Sequence, residues 1–325
     1  MWPRVTALGF LIAFTAVVLP ARGQVASGFP AKPVKFIIPF PGGGINDVLA
    51  RIAADKLTAK WGQPIVVENK TGAGGNIGAD FAAQAEPDGH TLFVTPPGPL
   101  AINQSLYRQL SYRPEDFVPV TVLAAVTNLI TVRPEIEVNS VMELIAFAKQ
   151  NPGKVTYGSQ GNGSTPHLTG IMFMTMTGVR TIHVPYRGEN LVINDMLGGH
   201  VDVFFGNIAP VLPHYRDGKL KVLAVADVKR AASIPDVPTA AEAGLPGFVS
   251  TSWFAVAGPP KMPPALAQQL AADFADVLSM PDVQTKYRSV GAEPVATTPA
   301  ETAAFVEAET ARWREVISKN NIRIE

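Results

Sequence analysis

Three times in this chain a glycine-rich loop joins a short apolar run to a helix-like pattern. "PFPGGGIND" follows "VKFII", "TGAGGNIG" follows "PIVVEN", and the loop Gly158–Gly163 follows "KVTY". A plain turn needs one glycine or two. A triple glycine such as Gly42-Gly43-Gly44 implies that something must come close to the backbone. Loops of this kind expose N–H groups, and the helix that follows adds a partial positive charge. Together they form an anion site that needs no cation.

The segments between these loops set the fold class. Ile45, Val48, Leu49 and Ile52 fall at i, i+3, i+4 and i+7, one helix face, and Trp61-Gly62 ends that helix. "PIVVEN" is a second strand, an alanine-rich helix runs to about Glu86, and "TLFVT" is a third strand. This β-α-β-α-β order implies a parallel sheet with helices on its faces. A second block follows. Ser140 and Glu143 fit a capping box for a helix over Val141–Lys149. "KVTYGS", "TIHVPY", "HVDVFFG" and "LKVLAVA" read as strands, with helices over His167–Met176 and Asn190–Leu197. Two long extended stretches, 117–134 and 248–259, are candidates for chains crossing between domains. In the C-terminal part "PPALAQQLAADFADVLSM" and "PAETAAFVEAETARWREVISKN" read as helices, expected to pack on the first block. The expected architecture is two α/β domains, 24–125 with 252–325 and 126–251, joined by two crossing segments with a ligand cleft between them.

Composition narrows the function. The 325 residues carry 47% apolar and 17% charged residues, with acids and bases balanced at 27 each, which argues against a nucleic-acid binder. Arg4, the uncharged apolar run Val5–Leu19, Pro20 and the small residues of Ala21-Arg22-Gly23 read as a secretory signal peptide over residues 1–23. The run is too short to serve well as a membrane anchor. The absence of cysteine excludes a disulfide framework, a thiolate metal site and a lipidated cysteine. An exported, unanchored protein is expected, periplasmic in a bacterium with two membranes. No cofactor and no nucleic-acid partner are expected, and the expected state is a monomer.

Nucleotide signatures fail. No loop supplies the lysine of a Walker motif. Pro166 stands where Gly161-Asn162-Gly163 would need its third glycine, and Ile77 where Gly72-Ala73-Gly74 would. The five histidines show no zinc spacing. A secreted serine hydrolase would have to use Ser159 or Ser164 with His167. Ser159 sits in "YGSQG", where Tyr157 replaces the first glycine of a nucleophile elbow. Ser164 or Thr165 reads more simply as a helix cap.

With "IPFPGGGIND" and "VENKTGAGGNIGAD", the stretches "LAINQSLY", "YGSQGNGSTPHL", "VPYRGEN", "LGGHVDVFFGN" and "IPDVPTAAEAGLPGF" complete a series of long motifs in order. Across the mature length the chain resembles the Bug proteins, extracytoplasmic receptors of tripartite tricarboxylate transporters. The resemblance implies a periplasmic-binding-protein (Venus flytrap) fold, type II-like, that closes on a small carboxylate or a related amide or amino acid. It would deliver this ligand to the membrane components of such a transporter. A liganded receptor could instead signal to a membrane partner through the same cleft. Carried over by motif, the ligand-binding residues are Phe40, Gly43, Gly44 and Asp47 in the first loop and Gly74 and Gly75 in the second. From the other domain come Ser159, Gly161, Ser164, Thr165 and His167, with Tyr186 near the cleft. Asp202 and Asn207 flank the end of the "VDVFF" strand. Asp47 also reads as a helix-dipole partner that orients loop amides, and Arg187 as a solvated rim charge. The run "TPPGPLAIN" departs from the family. Pro96, Pro97 and Pro99 remove N–H donors and stiffen the loop, leaving the Thr95 hydroxyl and the Gly98 amide.

Overall fold

Strand β1 (Val34–Ile38) buries four of its five residues. Helix α1 (Ile45–Trp61) starts after Gly44 and stops at Gly62, whose left-handed φ of 65° turns its N–H back to the Thr58 carbonyl. Strands β2 (Ile65–Asn69) and β3 (Thr91–Thr95) flank β1 in parallel, and α2 (Asn76–Ala83) links them. This computed structural model describes residues 28–320 and 322–324, so the signal segment 1–23 lies outside the described residues.

After β3 the chain departs from its expected course. "TPPGPLAIN" is no stiff open loop. A π-helical turn over Gly98–Ile102 runs straight into α3 (Asn103–Leu106). Pro97 and Pro99 sit at the start of this turn, where a missing N–H breaks no helical bond. The long apolar stretch then divides at Asn128 into β4 (Val118–Thr127) and β5 (Leu129–Val132).

Beyond β5 come α4 (Val141–Gln150), β6 (Thr156–Ser159), α5 (Thr165–Thr177), β7 (Ile182–Pro185), α6 (Glu189–Leu197), β8 (Val203–Phe204), α7 (Ile208–Arg216) and β9 (Lys221–Val225). The chain returns through β10 (Thr251–Gly258) and finishes with α8 (Pro264–Ser279), α9 (Pro281–Ser289), β11 (Ala292–Pro294) and α10 (Pro299–Lys319). The first sheet has the order β11-β4-β10-β3-β1-β2 and the second β7-β6-β8-β5-β9. Both are mixed, where parallel sheets were expected. Strand β4 leaves the first sheet in the direction of β1 to β3, so the returning β10 must run antiparallel to both β3 and β4. By the same logic β5 enters the second sheet antiparallel to β8.

Where the chain crosses, its polar groups are buried and paired. Asn128 is fully buried and donates from Nδ2 to Ser250 Oγ at 2.9 Å and to Thr169 Oγ1 at 3.2 Å. The backbone closes the same knot, with Asn128 N–H donating to the Ser250 carbonyl and Ser250 N–H to the Ala226 carbonyl. Thr169 lies on α5, so this knot ties the crossing strands to the helix that opens at the third glycine loop.

Helix α10 packs on the first sheet, as expected of the C-terminal part. Its anchor is Glu309, which is 8% exposed and accepts the indole N–H groups of Trp253 (3.0 Å) and Trp313 (3.1 Å) on one oxygen. Both indoles are buried. Glu309→Ala leaves two buried donors without an acceptor and should cost roughly 2–4 kcal/mol. Glu309→Gln, which keeps an acceptor oxygen, should lose much less. Urea unfolding of the two variants checks the difference.

Candidate functional site

The first glycine loop is fixed by Asp47. Its carboxylate is only 3% exposed. Its Oδ2 accepts from the Gly43 N–H at 3.0 Å and from Arg51 Nε at 2.9 Å, and its Oδ1 accepts from Arg51 Nη2 at 3.0 Å and Asn69 Nδ2 at 3.1 Å. Burial alone would raise its pKa, but the bonds from Arg51, Gly43 and Asn69 outweigh burial and hold it below the usual carboxylate value. Asn69 Nδ2 also donates to the Phe40 carbonyl. So the Gly43 amide is spent inside the loop and is not an open donor, while Asp47 holds the loop and the start of α1. Gly44, in extended conformation, is the residue before the first turn of α1.

The second loop turns sharply through Gly72, Gly74 and Gly75, with φ of 129°, 63° and 93°. A Cβ on Gly75 would lie 2.8 Å from Pro99 Cγ and 3.4 Å from the Phe40 ring. A Cβ on Gly74 would lie 2.6 Å from Tyr107 Oη and 3.3 Å from the carbonyl of Asn162, in the third glycine loop. In the other direction, a Cβ on Gly163 would meet Leu106 Cδ1 at 2.8 Å and Asn103 Oδ1 at 3.3 Å. Asn103 Nδ2 donates to the Gly74 carbonyl at 3.1 Å. The second and third glycine loops therefore face each other, backbone to backbone, between the two sheets.

The third loop is braced from within. Ser159 Oγ accepts from the Gly161 N–H at 3.1 Å and lies 2.7 Å from His183 Nε2. Ser164 Oγ donates to the Gly161 carbonyl at 2.6 Å, and the Gly163 N–H donates to His167 Nδ1 at 3.2 Å. The rings of His167 and His183 stack at 4.1 Å between centroids, and Tyr157 covers the other side of His183 at 4.9 Å. Burial lowers the His167 pKa to about 4. Burial, and then the His167 charge, lowers His183 to about 3. Both rings are neutral near pH 7.

A cavity of about 410 Å³ opens where these loops meet. Phe40, Gly74, Gly75, Gly161 and Tyr186, all expected at the site, line it, with Arg187 at the rim. Gln160, Thr71, Pro39 and Pro41 join them without having been singled out in the sequence. Tyr186 is steadied by its hydroxyl, which donates to Asp195 Oδ2. Gly43 lines a neighbouring cavity of about 190 Å³.

Other expected residues stand elsewhere. Thr95 donates its hydroxyl to the Pro96 carbonyl. Thr165 pairs with Ser252 at 2.5 Å, beside the crossing-strand knot. Asp202 lies at the opposite end of the second sheet, binding Arg133 at 2.9 Å and the Thr156 N–H at 2.8 Å. Asn207 is 1% exposed and donates from Nδ2 to Glu189 Oε1 at 2.7 Å. Glu189, a residue the sequence did not flag, is 6% exposed, and burial pushes its carboxyl up to about 7. Among the described residues no group of three or more His, Asp and Glu side chains could hold a metal. A larger cavity, about 600 Å³, lies against the crossing strands at Thr127 and Thr251 and touches none of the three glycine loops.

Comparison with known proteins places this arrangement. Residues 49–322 match the family described as tripartite tricarboxylate transporter family receptor. The chain is 36% identical over 319 residues to the protein BugT of Bordetella pertussis, covering 98% of this chain and 97% of that one. Among solved structures, Rpa4515 of R. palustris with adipate is 38% identical and superposes with a TM-score of 0.88, covering 91% of this chain and all of that one. MatC of Rhodopseudomonas palustris with bound malate is 32% identical with a TM-score of 0.84, covering 89% of this chain and 100% of that one. The chain belongs to the tripartite tricarboxylate transporter receptor family, the Bug proteins, and has their two-domain periplasmic-binding-protein fold.

The buried histidines give a pH signature. Unfolded, each titrates near 6.5, while folded they titrate at about 4 and about 3. In the window between, the unfolded chain binds protons that the folded chain does not, so stability falls as pH drops below 6.5. Glu189 opposes this. Its folded pKa of about 7 exceeds the ordinary 4.5, so its contribution is present at low pH and lost as pH rises through 7. Two protons outweigh one. The urea midpoint should fall on acidification from pH 6.5 to 4.5, the interval bounded by these ordinary values. His183→Gln should flatten that fall and Glu189→Gln should steepen it.

Proposed function

We propose that this receptor is exported, loses its signal peptide and captures a small organic carboxylate for delivery to the membrane components of a tripartite tricarboxylate transporter. The two units that close on the ligand are residues 24–125 with 252–325, and 126–251. The observation that carries this reading is the meeting of two glycine loops, one from each unit, across a cavity whose lining holds a single cation, Arg187. The Gly43, Gly75 and Gly161 amides are bonded within their own loops, so the remaining loop amides and ordered water, not an arginine fork, would hold the carboxylate. That Rpa4515 was solved with adipate and MatC with malate supports the ligand class.

A hydrolytic reading loses support at the same site. Ser159 does touch a histidine, but it is His183, whose pKa near 3 makes it a poor base near neutral pH. No carboxylate among the described residues hydrogen-bonds that ring to orient it. Ester substrates should show no turnover above background, and Ser159→Ala should leave that background unchanged.

Gly74 gives the sharper test. Its backbone is left-handed and its missing Cβ lets Asn162 approach. Gly74→Ala should cost about 1–2 kcal/mol of folding stability from the left-handed backbone. The methyl also crowds Tyr107 Oη within its own unit, which adds to that cost, and across the cleft it meets the Asn162 carbonyl, a cost that falls on closure. Affinity for a carboxylate that stabilises the wild type should fall by roughly tenfold or more, that is 1.4 kcal/mol or above. Calorimetric titration of a series of mono-, di- and tricarboxylates, run beside urea unfolding, measures both. Stabilisation by no organic acid at all would overturn the functional reading.

A further inference from the structure

Segment 186–188 runs from the third glycine loop to the first. The Tyr186 N–H donates to the Ser159 carbonyl at 2.9 Å. A Cβ on Gly161 would lie 3.5 Å from the Tyr186 carbonyl, and a Cβ on Gly188 would lie 3.8 Å from Pro41 Cγ. The next residue, Glu189, opens α6 and is buried. Arg187 therefore stands on a backbone held on both sides, and it is exposed at the rim of the cavity of about 410 Å³.

Charge in that cavity is uneven. The lining holds one cation, Arg187, and no Asp or Glu. Gln160 and Thr71 add neutral polar groups. Arg51, which braces the first loop, is paired with Asp47, and Lys70, next to Thr71 in the chain, with Glu68. Two acids that follow Arg187 on α6 have donors of their own. Glu189 accepts from Asn207, and Asp195 accepts from the Tyr186 hydroxyl. Arg187 itself has no carboxylate partner among the described residues. A guanidinium stays charged at any ordinary pH and meets a carboxylate through two parallel N–H donors. A ligand ammonium in the same place would face a like charge with no acid to offset it. A ligand methyl would gain nothing from it.

We propose that Arg187 sets the specificity of this receptor. It contacts the end of the ligand away from the glycine loops and selects acids with a second carboxylate over monocarboxylates and ω-amino acids of the same length. This rests on the carboxylate-receptor reading above, in which loop amides and water hold the first carboxylate. A rim charge that never touches the ligand would act through its field alone, and lysine in its place would serve as well. A bidentate fork cannot be replaced in that way.

The test titrates the whole mature protein calorimetrically with three matched series: the dicarboxylates succinate to pimelate, the monocarboxylates butyrate to heptanoate, and the ω-amino acids of the same lengths. The best dicarboxylate should bind roughly tenfold or more tighter than the best member of either other series. Arg187→Gln should remove most of that margin, and Arg187→Lys should restore only part of it. Arg187→Glu should turn the order around in favour of the ω-amino acids. Because Arg187 is exposed, all three variants should melt with the ligand-free wild type, which separates lost binding from lost folding. Equal or tighter binding of a monocarboxylate or an ω-amino acid by the wild type overturns this proposal alone. So does an Arg187→Gln loss that falls equally on every series, or full recovery by lysine. Binding of no member of any series by the wild type overturns the carboxylate reading and this one together.

Discussion

The arrangement depends on one close approach. The loop at Gly72–Gly75 and the loop at Gly161–Gly163 come from different sheets, and a Cβ on Gly74 would come within 3.3 Å of the Asn162 carbonyl. Glycine serves here less as a turn-former than as a missing Cβ. Around that approach the structure supplies rigidity. Asp47 pins the first loop through four hydrogen bonds. The stacked pair His167 and His183 supports the third loop from below. Loops held this firmly would need little reordering if a ligand entered between them.

The crossing strands extend the same logic. Asn128, Ser250 and Thr169 bury their polar groups where both chain crossings lie side by side. Such a knot is costly to half-satisfy, so it fixes the relation of β5, β10 and α5 closely. Thr165, one turn before Thr169, joins it through Ser252, and the loop of Ser164 and Gly163 begins there. Motion at the crossing strands and the position of the third glycine loop are thereby linked through α5, without a residue of that link lining the cavity of about 410 Å³.

Much of this was legible in the sequence because it is local. Glycine spacing after apolar runs marked the three loops, and alternating strand and helix patterns marked the α/β class. The motif series fixed the family. What escaped was non-local. Strand direction is set by which sheet the chain is travelling to, so the antiparallel course of β10 leaves no signature in "TSWFAVAG". Ser159 meets His183 only because β6 and β7 pair in parallel, with Tyr157 opposite His183. Helix α9 was missed because its buried side chains are just Val283 and Tyr287, too few to print a periodic face. Residues such as Thr165 and Asp202 fit the motifs but are spent on the crossing strands and on Arg133. Sequence shows that a hydroxyl or a carboxylate is available, not which partner will claim it.

The most direct test of the account is a crystal structure of the protein purified without dialysis from its native source, examined between the two facing glycine loops. The expected result is density for a small organic acid with one carboxylate between the loop Gly72–Gly75 and the loop at Gln160 and Gly161. Density for such an acid in the cavity beside Thr127 and Thr251, with the space between the glycine loops filled only by water, would contradict it.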